Sequence, residues 1–161
     1  MTALPDHTPG PTPPGPSLKA RALRLLATRE HSRLELERKL QPYEAQPGEL
    51  AQALDLLQAK GFIDEARVAE SLLHRRANKL GDRRVLQELQ HKGLPSQLLD
   101  EAATTLRETE VERAKAVWQK KFGNPPANAQ ERGKQMRFLA SRGFSGDSIR
   151  RAIAASDDEN D

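Results

Sequence analysis

Apolar side chains from Leu18 onward fall three and four residues apart, the spacing that sets them on one stripe of an α-helix, and the breaks between them recur at nearly even intervals. Leu18, Ala22, Leu25 and Leu26 mark a helix to about Arg29. Ser32, with Glu35 three residues later, is a capping box that opens a second helix carrying Leu36 and Leu40 and stopping at Pro42 and Tyr43. Pro47 suits a first helical turn, after which Leu50, Ala53, Leu54 and Leu57 line a third helix that ends at Lys60 and Gly61. Asp64 can cap a helix carrying Ala66, Ala69, Leu72 and Leu73 to about Leu80. Gly81 breaks it, Asp82 caps one with Val85, Leu86 and Leu89, and Pro95 begins another with Leu98, Leu99, Ala102 and Leu106. The last three run near Glu110 to Lys121, Ala129 to Arg142 and Ser145 to Ala155, separated by residues 122–126 and by Gly143-Phe144. The pattern predicts an all-α chain of nine helices in three tandem three-helix repeats, at residues 18–62, 63–107 and 108–155.

The sets resemble one another in sequence. Leu89, Lys92, Gly93, Leu94, Leu99, Ala102 and Ala103 map onto Leu139, Arg142, Gly143, Phe144, Ile149, Ala152 and Ile153 at a constant offset of 50. Leu40, Leu50, Ala53 and Leu54 map onto Leu89, Leu99, Ala102 and Ala103 at an offset of 49. The shared step of Lys or Arg, then Gly, then Leu or Phe has a physical reading. The glycine takes the left-handed conformation that ends a helix, the cation complements the helix C-terminal dipole, and the apolar residue folds back onto the helix. Lys60-Gly61-Phe62 repeats the chemistry between the first two sets, whereas the first set itself has Pro42, Tyr43 and Glu44 at the equivalent step. Units this small bury little core alone, so stacking them along the chain predicts an elongated, curved, solenoid-like rod.

Composition narrows the class. Val and Ile number only seven from residue 18 onward, which argues against sheet. Cysteine is absent, which excludes disulfide scaffolds, thiolate metal sites and cysteine nucleophiles. No apolar run approaches the roughly 20 residues of a bilayer span, and the N-terminus carries neither Lys nor Arg nor an apolar stretch, so the expected location is the cytoplasm, with no membrane partner. Residues 1–17 hold six of the eleven prolines and read as a disordered leader; residues 156–161 read as a solvated acidic tail. Between them lie all 26 Lys and Arg against 18 acids, a net +8 that favours a polyanionic or acidic partner.

No catalytic constellation can be assembled. Phosphate-binding glycine loops, H-E-x-x-H and G-x-S-x-G are all missing, and the four histidines lie in the leader, at helix ends or among basic residues, where they read as solvated. Asp64-Glu65 and Asp100-Glu101 read as helix-opening carboxylates, and the six aromatics as anchors of small cores. Neither enzyme chemistry, nor a cofactor, nor a metal is expected; a binding protein is. Basic side chains are the remaining candidates, at Arg75, Arg76, Lys79, Arg83, Arg84 and Lys92 in the middle set and Lys120, Lys121, Arg137 and Arg142 in the last, where Glu131 is the sole acid between positions 113 and 142. Solvated helix faces mix signs, and this one does not.

The segments HSRLELERKL, GFIDEARVAE, GDRRVLQELQHKGL, KKF and MRFLASRGFSGDSIRRAI, in that order and spacing, resemble the RecX regulatory proteins across roughly residues 18–155. The leader, the acidic tail and Val68, where an aromatic is usual, depart from that pattern. The resemblance implies tandem three-helix repeats that bind the RecA recombinase filament on DNA, suppress its ATP hydrolysis and strand exchange and favour net filament loss, in recombinational repair and the SOS response; the chain itself is expected to be a monomer. It carries no catalytic residues, and the ten cations above rest on charge alone. The rival class is a sequence-indifferent DNA binder of helix-turn-helix-like units that engages strands through phosphate contacts. A transcription-linked adaptor using the proline-rich leader is a third.

Overall fold

In the computed structural model, residues 15–158 are described, and the leader up to residue 14 and the last three residues lie outside them. Eight α-helices and one 3-10 turn make up the described chain: α1 Leu18–Thr28, α2 Arg33–Leu40, the turn Gln41–Tyr43, α3 Glu49–Ala59, α4 Glu65–Arg76, α5 Asp82–His91, α6 Ser96–Lys121, α7 Ala129–Ser141 and α8 Gly146–Asp158. Local signals act as expected at many ends. Ser32 and Glu35 form the reciprocal capping box of α2, and Asp64 accepts from the Arg67 amide at the start of α4. Gly61, Gly93 and Gly143 all have the left-handed φ of a helix-ending residue, at 82°, 72° and 95°. Pro47 instead precedes the cap, and Gly48 opens α3. Asp82 is the first residue of α5 rather than its cap, which is Gly81.

The helix count is corrected by α6. The sequence pattern breaks between Leu106 and Val111, yet the chain runs on as one helix of 26 residues. No Gly or Pro stands at residues 107–110, and the apparent gap is Glu110, a carboxylate buried on the inner face to 4% exposure. Asp100-Glu101 lie inside this helix and not at its opening. At the other end, α8 carries Ser156 to Asp158 of the expected tail, with Asp157 3.6 Å from Arg132.

Three apolar clusters form the interior. Ala22, Leu36, Leu40, Leu50, Leu54, Leu57 and Ile63 join α1–α3. Val68, Ala69, Leu72, Leu80, Val85, Leu89, Leu94, Ala102 and Leu106 join α4, α5 and the first half of α6. Ala114, Trp118, Leu139, Phe144, Ile149, Ala152 and Ile153 join the second half of α6 to α7 and α8. Each buried Leu or Ile contributes roughly 1.5–3 kcal/mol, which suits three small cores that lean on their neighbours. Trp118 and Phe144 anchor the third core, with Phe122 and Phe138 packed edge to face beside it at 5.5 Å. Tyr43 and Phe62 are not core anchors: both are about half exposed, Tyr43 beneath the guanidinium of Arg21 and Phe62 in the loop after α3.

Candidate binding surface

The same joint is built twice between successive cores. Arg33, first residue of α2, donates its amide to Glu65 Oε1 at 3.0 Å, and Asp82, first residue of α5, donates its amide to Glu110 Oε2 at 2.9 Å. The same first turn of each helix rests on a glycine: Leu34 on Gly93 and Arg84 on Gly143, so closely that a Cβ there would stand 2.5 and 2.2 Å from the neighbour. Leu34 and Arg84 are 50 residues apart, as are Gly93 and Gly143. The repeated Gly step therefore ends a helix and also seats the preceding unit.

Buried charge holds these joints. Burial opposes ionisation of Glu110, but hydrogen bonds from Ser145 and Ser148 and from the Asp82 and Ser145 amides outweigh it and hold its pKa to about 2. Burial together with nearby Glu110 raises Asp82 to about 6, although Arg113 pairs with it. Arg113 also donates to the Ala77, Leu80 and Leu106 carbonyls. At the other joint Glu35 is held to about 2 against burial by Arg29, Lys92 and the Ser32 amide. His31, expected to be solvated, is 1% exposed; burial lowers its pKa.

The ten expected cations divide accordingly. Arg83 and Arg84 donate to the Ala140 and Ser141 carbonyls and so cap the C-terminus of α7. Lys92 lies 2.7 Å from Glu35, and Arg76 3.5 Å from Glu88. Arg75 and Arg137 are exposed and stand outside the clusters described next. The other four converge. Lys79 beyond α4, Lys120 and Lys121 at the end of α6 and Arg142 at the end of α7 line one groove of about 540 Å³, together with Asn78, Ala116, Val117 and Phe138. Lys121 and Arg142 sit 5.3 and 5.0 Å from the centre of the Phe138 ring.

Three helix C-termini meet at this groove, each worth about half a negative charge, so the four cations exceed what dipole compensation requires. No acid lines it. The arrangement offers several charge-assisted donors over an apolar floor, a surface for phosphates or carboxylates presented by a larger partner. Sequence reasoning missed Phe138 as the floor. It also missed a second groove of about 480 Å³ between α2 and α5, of mixed charge, lined by Glu35, Arg38 and Lys39 across from Arg84, Gln87, Glu88, His91 and Lys92. The adjacent cations in the last turn of α2 were the available signal.

Comparison with known proteins follows the same architecture. Family profiles described as the second and third three-helix domains of RecX match residues 64–102 and 108–153. The chain is 51% identical over 145 residues to the regulatory protein RecX of Leptothrix cholodnii, covering 90% of this chain and 92% of that one. It is 46% identical over 142 residues to that of Ralstonia pickettii, covering 88% and 89%. A crystal structure of RecX from Lactobacillus salivarius superposes with a TM-score of 0.73 at 20% identity, over 87% of this chain and 94% of that one, a likeness of fold. With repeated three-helix units in the fold and half the residues shared with a regulatory relative over nearly the whole length, the chain belongs to the RecX family of regulatory proteins.

Proposed function

We propose that this chain binds the RecA recombinase filament on DNA as a monomer and restrains its ATPase and strand-exchange activities, in DNA repair, recombination and the SOS response. Family membership supports the regulatory role. The single observation that carries the contact surface is the convergence of Lys79, Lys120, Lys121 and Arg142 on one groove, drawn from three separate elements. A ligand shifts an equilibrium only by its differential affinity for two states, so restraint follows if this groove meets one filament conformation better than another.

The test is the DNA-dependent ATPase of the cognate recombinase with this protein titrated in, beside its affinity for the same DNA alone. Half-inhibition is expected well below the concentration that coats the DNA. Lys120→Glu combined with Lys121→Glu should raise the half-inhibitory concentration by about tenfold or more, equivalent to at least ~1.4 kcal/mol of lost contact. Inhibition only at DNA-saturating concentrations, with affinity falling steeply with salt, favours the sequence-indifferent DNA binder instead.

A further inference from the structure

The two joints share one plan but differ in strength. Between the second and third cores the chain is the uninterrupted helix α6, with Ala102 and Leu106 in one core and Ala114 and Trp118 in the other. Backbone also meets backbone there: Gly81 donates to the Arg142 carbonyl at 2.8 Å, and a Cβ on Gly81 would stand 2.2 Å from the Phe144 nitrogen.

Between the first and second cores the helix is broken. Residues 60–64 link α3 to α4 through the left-handed Gly61, where a Cβ would meet nothing and whose carbonyl accepts from Arg67 at 2.6 Å, with Ile63 held in the first core. Among the described residues, the extensive helix-on-helix packing lies within α1–α3 on one side and within α4–α8 on the other. The contacts that cross include Leu34 on Gly93 and a set of polar ones: Arg33 to Glu65, Arg38 to the His91 carbonyl, Arg67 to Glu30 and to the Gly61 carbonyl, and Lys92 to Glu35. Polar contacts with little apolar burial are the mark of a segment that moves as a body. The α2/α5 groove is walled by Glu35, Arg38 and Lys39 from one body and by Arg84, Glu88, His91 and Lys92 from the other, so any rotation changes its width.

We propose that α1–α3 form a lid hinged at residues 60–64 that swings over the α2/α5 groove, and that the Arg29–Glu35–Lys92 cluster is its latch. Lys92 and Glu35 are 14% and 13% exposed, sheltered from competing water and salt, whereas Arg67 and Glu30 are 45% and 31% exposed. Losing Lys92 leaves Glu35 with Arg29 and the Ser32 amide, so α2 keeps its capping box while the crossing contact goes. The lid is independent of which partner the basic surface meets.

Because the chain has no cysteine, introduced pairs can carry spin labels without interference. Gln52→Cys on α3 with Thr105→Cys on α6 spans the hinge, and Thr105→Cys with Ala154→Cys on α8 spans the fused joint; all three positions are exposed. In the full-length chain both pairs should give narrow distance distributions. Adding Lys92→Met and Arg67→Met should widen the hinge-spanning distribution about twofold or more while leaving the other unchanged, since domain-scale swings exceed side-chain motion. The lid is overturned if the hinge-spanning pair stays narrow in that variant, if it is already wide without those substitutions, or if both pairs widen together.

Discussion

Glu110 receives the Asp82 amide, the Ser145 amide and the Ser145 hydroxyl while buried between two cores, a set of donors that calls for a carboxylate. Glu110→Gln keeps the shape but turns an NH₂ toward donors, and should cost about 2 kcal/mol in urea unfolding. Asp82 beside it sets a pH dependence of opposite sense to most carboxylates. Its pKa is about 6 folded against 3.8 in an unfolded chain, so the folded state holds an extra proton between those values and this group adds stability as pH falls through about 6 toward about 4. Glu35 and Glu110, at about 2 when folded against 4.5, contribute stability that is present above about 4.5 and lost as pH falls from there toward about 2. The lowered pKa of His31 likewise removes stability as pH falls through about 6.5. Comparing Asp82→Asn with the parent isolates the Asp82 part. The melting-temperature difference between them should shift in the parent's favour on going from about pH 7 to about pH 5, and a constant difference refutes the assignment.

Helix ends carry the sharpest contrast between local and tertiary demands. Gly61→Ala meets only the left-handed backbone cost of about 1 kcal/mol, because nothing lies near. Gly143→Ala adds a methyl 2.2 Å from the Arg84 Cγ and 2.8 Å from its backbone nitrogen, and should cost about 3 kcal/mol or more by chemical denaturation. Both glycines read identically in sequence, as helix stops, because the backbone signal is local. What seats on Gly143 comes from Arg84, far back in the chain, and only the constant spacing of 50 hinted at it. The same limit explains α6. Apolar spacing reports the inner face of a helix, and a buried acid on that face looks like a loop.

At the scale of the whole molecule, the sequence showed three tandem helical sets and an excess of positive charge, but not which cations meet. Composition cannot separate Arg83 and Arg84, committed to the carbonyls of α7, from Lys79 and Lys120, which approach only once α4, α6 and α7 have packed. Charge reversal at Arg83 and Arg84 therefore loosens the joint as well as any contact surface, whereas reversal at Lys120 and Lys121 leaves the hydrogen bonds between cores among the described residues in place. Circular dichroism should stay unchanged for the latter variant while its half-inhibitory concentration rises.

The uninterrupted α6 also sets how the chain comes apart. A helix that supplies buried side chains to two cores cannot fray in one without exposing the other, so those two should melt as a single cooperative block. The first core, joined through a loop, the Leu34 seat on Gly93 and polar contacts, should melt before that block. Trp118, the only tryptophan, lies in the block with its indole N–H donating to Gln135 at 2.8 Å. Its fluorescence is therefore blind to the first core, whereas helical circular dichroism sees all three. In a denaturant titration the ellipticity should begin to fall before the emission moves, and coincident curves would show one cooperative unit from end to end.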